Sequence, residues 1–223
     1  QTYCFRSQNE QITEFINKLQ AQIQAQLKHK DEIVIAFSGG KSPIALFEQL
    51  GNTELAWNKI TITLVDERIV DNDSSESNEH LIKTYLLKNK AKDAQFIGLV
   101  DMRLSNTQMV DIANKNLPNI DIAILGMGED GHTASIFSDC KELYQAIDLT
   151  TNNRYINTNP ISAEYSRITL TLKAICDIPL VYIMINGGLK LKVLNEALKG
   201  NNTNYPISYV LNMRGDLITF WYE

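Results

Sequence analysis

Apolar residues at Ile12, Phe15, Ile16, Leu19, Ile23 and Leu27 recur in steps of three and four, with glutamines filling much of the opposite side. That spacing predicts an amphipathic helix with one face turned to a core. Apolar, strand-like runs follow at 33–38, 60–65, 95–99, 120–125, 167–172, 180–186 and 217–222, and helical patterns at 43–50, 78–88, 107–116 and 189–199 separate several of them. Alternation of this kind predicts an α/β fold: a mainly parallel open sheet with helices on both faces, Rossmann-like in outline. No internal repeat and no linker divides the pattern, so residues 1–223 read as a single domain. Between 139 and 161 the periodicity is poor and assigns no element.

The ends of these strands collect the polar chemistry. After the run 120–125 comes Gly126-Met127-Gly128-Glu129-Asp130-Gly131-His132, a glycine-rich turn holding an acid and a histidine two residues apart. Glycines permit a sharp turn and a close approach to a ligand, and open α/β sheets bind ligands at strand ends. A histidine placed there exchanges protons near neutral pH. The plainer alternative is a tight turn whose polar residues cap the next helix. After the run 33–38, Ser38-Gly39-Gly40-Lys41-Ser42-Pro43 enters a helix, with Ser42 suited to the N-cap and Pro43 to the first turn. Backbone N–H groups at such an entry form a phosphate site. The third strand end carries Asp66-Glu67-Arg68, readable as a solvated ion pair or as a cationic fork reaching into a cleft. Arg167 opens a later run, and Lys190 follows Gly187-Gly188 at a helix start. Each also has a bland reading, a strand-edge charge and a helix-surface lysine.

Two familiar motifs fail on inspection. Gly126-x-Gly128-x-x-Gly131 matches the dinucleotide fingerprint, but it lies mid-chain and no convincing strand precedes the candidate ribose acid, Asp148. Gly40-Lys41-Ser42 resembles the end of a P-loop, but the first glycine that the loop requires is replaced by Ile35 inside a strand.

Composition narrows the field further. Lys and Arg number 21 against 26 Asp and Glu, a net charge of −5, so no basic field points to nucleic acid. An anionic substrate must then be met by local cations. No apolar run approaches the ~18 residues of a membrane span. Three separated cysteines, Cys4, Cys140 and Cys176, suit reduced thiols in a cytoplasm and form no metal-ligand pattern. With only His29, His80 and His132 besides, neither a metal nor another cofactor is expected. Oligomeric state is not readable from these features.

Taken in order, Ser38-Gly39-Gly40-x-Ser42-Pro43, Asp66-Glu67-Arg68-x-Val70, Ser77-Asn78, Gly126-x-Gly128-x-Asp130-Gly131-His132-x-Ala134-Ser135-x-Phe137, Arg167-x-Thr169 and Gly187-x-x-Lys190 resemble the 6-phosphogluconolactonases of the pentose phosphate pathway. The resemblance spans about residues 33–190 and departs from the family pattern at Ser138, where proline is common, and at Lys41. It implies the fold shared with glucosamine-6-phosphate isomerases, a phosphorylated sugar lactone as substrate, and hydrolysis without a cofactor. Carried onto this sequence, it makes His132 the proton-transfer group, Asp130 its orienting acid and Arg68 the group that orients substrate or stabilises the oxyanion. Ser38, Gly39, Gly40, Lys41, Ser42, Asp66, Asn78, Arg167 and Lys190 become substrate- and phosphate-binding candidates. Ser135 is expected to be a small helix-packing serine, not a nucleophile. Direct contact between Asp130 and His132 is an open expectation, since residues two apart on a turn can diverge. Two rivals stand beside this reading: an amino-sugar-phosphate isomerase or deaminase with Asp66 as base, and a silent phosphosugar-binding module.

Overall fold

The computed structural model describes residues 1–223. A short edge strand, β1 (Thr2–Phe5), precedes the long helix α1 (Gln8–Gln26), whose N-terminus is capped by Ser7 accepting from the Glu10 N–H at 3.2 Å. The chain continues through β2 (Ile33–Phe37), α2 (Ile44–Leu50), β3 (Ile60–Leu64), β4 (Asp66–Arg68), α3 (Asn78–Tyr85) and β5 (Gln95–Phe96). Next come α4 (Asn106–Asn116), β6 (Ile122–Leu125), α5 (Leu143–Ala146), β7 (Tyr155–Thr158) and β8 (Arg167–Leu170). The last elements are α6 (Leu172–Asp177), β9 (Leu180–Asn186), α7 (Gly188–Ala197), α8 (Ile207–Met213) and β10 (Ile218–Tyr222).

Seven strands form one parallel sheet in the order β1-β10-β9-β6-β2-β3-β5. Every residue of β2, β3 and β6 is buried, as a sheet covered on both faces demands. Gln11 of α1, buried among apolar neighbours, spends its amide N–H bonds on Ile185 O and Phe220 O of β9 and β10. From β2 the chain builds outward through β3 and β5, then returns to β6 on the other flank of β2. The direction of winding therefore reverses between β2 and β6, and the crevice outside their carboxyl ends is where such sheets take ligands. No helix is long and apolar enough to cross a membrane.

A second sheet, β4-β8-β7, is antiparallel and leaves the first at Val65. The Val65 N–H donates to Phe37 O of β2, while its carbonyl accepts from the Leu170 N–H. Here the structure corrects the sequence reading. The run 167–172 is not a strand of the parallel sheet. It is β8 of the small one, ending at Leu170 because Thr171 caps α6 by accepting from the Ala174 N–H. Strand 95–99 shrinks to Gln95–Phe96. Ser42 does not cap α2: Pro43 holds the N-cap position, with no side-chain bond. The unassigned segment 139–161 contains α5 and β7.

Candidate active site

Both strands at the switch point run into glycine loops. The Ser38 N–H donates to Ile124 O at 2.9 Å, carrying the β2–β6 pairing to the rim of the sheet. At Gly39 a Cβ would stand 1.8 Å from Asn78 Oδ1, so only glycine lets this loop pass beside Asn78. Asn78 is itself held by donating from Nδ2 to Asp66 O at 2.8 Å. Above these ends opens a cleft of about 250 Å³. Ser38, Gly39, Gly40, Ser42, Asp66, Arg68, Asn78, His132 and Lys190 line its wall. Ser38 Oγ is buried on this wall without a hydrogen-bond partner.

The second glycine turn decides the geometry of the dyad. Asp130 Oδ1 lies 2.6 Å from His132 Nδ1 and also accepts from the His132 N–H at 3.2 Å. The two residues converge, which settles the question the sequence left open. A Cβ at Gly128 would stand 2.3 Å from both His132 Nδ1 and Asp130 Oδ1, so the pair occupies the space that glycine leaves. Burial raises the Asp130 carboxyl, but the hydrogen bond and charge of His132 outweigh it and hold the group below the usual carboxylate range. An ionised Asp130 accepts, so the neutral imidazole carries its hydrogen on Nδ1 and keeps a lone pair on Nε2. The imidazole also stacks on Phe137, with ring centroids 4.1 Å apart and planes inclined by 17°.

Several sequence expectations change at this point. The segment after Gly131 is not a helix: the Ile136 N–H donates to Thr133 O, closing a turn. Ser135 is therefore not a helix-packing serine. It is buried, its Oγ donates to Asp66 Oδ2 at 2.5 Å, and it does not line the cleft. Asp66-Glu67-Arg68 is no solvated ion pair. Glu67 is 1% exposed and accepts from the N–H groups of Arg68, Asn78 and Glu79 and from Ser77 Oγ, locking β4 to the start of α3. Burial pushes its carboxyl up to about 7 against those bonds. Nothing in the charge pattern distinguished Glu67 from a surface acid.

The cations divide. Arg68 reaches the cleft, with Nη1 donating to Glu76 O at 2.6 Å. Lys190, on the first turn of α7, also lines it, and burial lowers its ammonium below the usual value despite the opposing charges of Glu129 and Asp130. Arg167 stands opposite Arg68 in the β4–β8 register but does not line the cleft. Its Nη1 donates to Tyr165 O and its guanidinium lies 5.1 Å from the centre of the Phe137 ring. Burial, then the Arg68 charge, push it below the usual arginine range. Lys41 is exposed and outside the cleft wall. Gln8, Gln11, Asn186 and Tyr222 line the cleft without having been singled out, because each lies in an ordinary helix or strand pattern.

Residues 6–220 match the family model described as glucosamine-6-phosphate isomerases/6-phosphogluconolactonase. The chain belongs to this family. It is 41% identical over 198 residues to a 6-phosphogluconolactonase of Neisseria meningitidis, covering 86% of each chain. To a 6-phosphogluconolactonase of Helicobacter pylori it is 36% identical over 212 residues, covering 94% of this chain and 88% of that one. The crystal structure of a 6-phosphogluconolactonase from Shewanella baltica superposes with a TM-score of 0.94 at 34% identity, covering 100% of this chain and 97% of the other. Each of these relatives is named a 6-phosphogluconolactonase.

Proposed function

We propose that this chain hydrolyses 6-phospho-D-glucono-1,5-lactone to 6-phospho-D-gluconate, as a single domain acting in the cytoplasm. The observation that carries the reading is the 2.6 Å contact between Asp130 and His132 at the switch point, which leaves Nε2 free as a base on the cleft wall. Similarity over most of the chain to proteins named 6-phosphogluconolactonase supports the substrate. One continuous core of 57 buried apolar residues supports the single domain, and three free cysteines suit a reducing compartment.

In this mechanism His132 Nε2 takes a proton from water as the water oxygen bonds to the C1 carbonyl carbon. Asp130 holds the tautomer and stabilises the imidazolium that forms. Arg68 faces the developing oxyanion. Collapse of the tetrahedral intermediate breaks the bond from C1 to the ring oxygen, which receives the proton back from Nε2. The loop from Ser38 to Ser42 and Lys190 hold the 6-phosphate, with Ser38 Oγ free to donate. Binding energy from the phosphate then positions the carbonyl for attack. Arg167 and Lys41 do not line the cleft, and Arg167 adds positive potential through its place opposite Arg68. The deaminase alternative would use Asp66, which lines the cleft with Oδ2 accepting from Ser135 Oγ; the similarity to proteins named 6-phosphogluconolactonase favours the lactonase reading over it.

The test is proton release from freshly generated lactone, with spontaneous hydrolysis subtracted, beside an assay for ammonia from glucosamine 6-phosphate. Acceleration in the first with none in the second is the expected result. Ammonia release without lactone hydrolysis would replace this reading with the deaminase one.

A further inference from the structure

We propose that Phe137 is a positioning residue for His132: its ring holds the imidazole in the plane from which Nε2 meets the attacking water. The kinetic part of this proposal rests on the lactonase reading above.

A hydrogen bond from Nδ1 to Asp130 fixes one atom of the imidazole but leaves the ring free to tilt about that contact. The Asp130 side chain is itself 49% exposed, a weakly held anchor. The Gly128 backbone packs beside the ring on one side without a side chain. A further restraint is the near-parallel stack on Phe137 at 4.1 Å. Phe137 is well placed to supply it, being only 7% exposed and rigidly tethered. Its carbonyl accepts from Cys140 Sγ at 3.2 Å, and the preceding Ile136 N–H closes the turn to Thr133 O at 3.0 Å. The same ring carries the Arg167 guanidinium, which is anchored by donating to Tyr165 O at 2.7 Å. A cation over an aromatic face is attracted by the ring quadrupole. The small sheet thus reaches the dyad through Phe137: β8 sets Arg167, Arg167 holds the ring, and the ring orients the base. This also accounts for a buried arginine outside the cleft lining.

Such a residue touches no substrate, so its loss acts on turnover and not on binding. Phe137→Leu keeps apolar bulk but removes the stack, and Phe137→Tyr restores an aromatic face. We expect kcat of the leucine variant to fall about 10- to 100-fold, the effect of a small misplacement of a catalytic group, with KM little changed. The tyrosine variant should keep wild-type kcat. A second readout needs no activity. A ring stacked face to face shifts the imidazole protons upfield in the NMR spectrum, and three histidines make assignment simple by comparison with His132→Ala. At a pH of about 8.5, above the ordinary imidazole range, the His132 protons should lie upfield of those of His29 and His80. They should move back in Phe137→Leu and stay in Phe137→Tyr.

A wild-type spectrum without that displacement overturns the proposal whether or not the variants fold. So does a folded leucine variant with wild-type kcat, or an equal loss of kcat in the leucine and tyrosine variants. Absence of lactone hydrolysis by the wild-type protein would instead sink the functional reading, leaving the spectra to decide the stack alone.

Discussion

Ser135 Oγ donates to Asp66 Oδ2 at 2.5 Å, joining residues 69 positions apart and closing β6's turn onto the start of β4. The bond gives the serine hydrogen to the aspartate and fills one acceptor position of its carboxylate. Ser135 is buried and does not line the cleft. Its N–H is supplied to Thr169 Oγ1 and its carbonyl accepts from Thr158 Oγ1, so the residue knits the small sheet to the turn.

Ser135→Ala should therefore cost stability and not chemistry. Removing one partner of a buried hydrogen bond costs about 1–3 kcal/mol, readable by denaturant unfolding, while most turnover remains. Mass spectrometry of quenched reactions should find no acyl adduct on Ser135. A folded alanine variant as inactive as His132→Ala would contradict this assignment.

His132→Ala should fold and lose ~10²–10⁴-fold in kcat, the usual worth of a general base. Asp130→Asn should lose activity in the same direction but less deeply. Its amide N–H favours the tautomer with the hydrogen on Nε2, the wrong one for a base, while the Phe137 stack still holds the ring. Steady-state kinetics on both variants check the order. An asparagine variant with full activity would remove Asp130 from the mechanism.

The phosphate is the discriminating handle on substrate. Lys190→Ala should lower kcat/KM for the phosphorylated lactone by roughly 10- to 100-fold, as expected for a bond to a charged group worth about 1.5–3 kcal/mol. Turnover of the lactone without phosphate should change far less, because the lost contact is absent there already. Equal losses on both substrates would assign Lys190 to folding or to the dyad instead.

Glu67 sets a pH dependence of stability. Its carboxyl rises from the usual value near 4.3 in the unfolded chain to about 7 in the fold. Between those values the native state binds more protons than the unfolded state, so this group's contribution to stability falls as pH rises and levels off above about 7. The Glu67→Gln variant lacks that slope. Unfolding curves at several pH values should show the wild type losing ground to the variant across this window. If the wild type gains ground instead, the four donors facing Glu67 outweigh its burial.

What the sequence determined by itself is local. Runs of apolar residues read as β2 and β6 because burial on both faces of a parallel sheet leaves an unbroken apolar signature, and β3, β9 and β10 read as strands from runs rich in β-branched and aromatic residues. The two glycine loops were legible because only glycine tolerates the close approaches at Gly39 and Gly128. Ser38, Gly39, Gly40, Asp66, Arg68, His132 and Lys190 appear on one cleft, in keeping with their positions at strand ends, and Asn78, expected only from the family resemblance, joins them. The tertiary structure alone decided the small sheet and everything that hangs on it. β4 is three residues, Asp-Glu-Arg, with no apolar alternation to betray it, and it exists only because β8 arrives from a hundred residues away to pair with it. The same long-range pairing set the Arg167 guanidinium against Phe137. It also placed Glu67 in a buried cradle of donors. Residue patterns record what a segment buries, whereas partners in distant segments are chosen by packing, and a charged residue looks the same in sequence whether water or a buried N–H receives it.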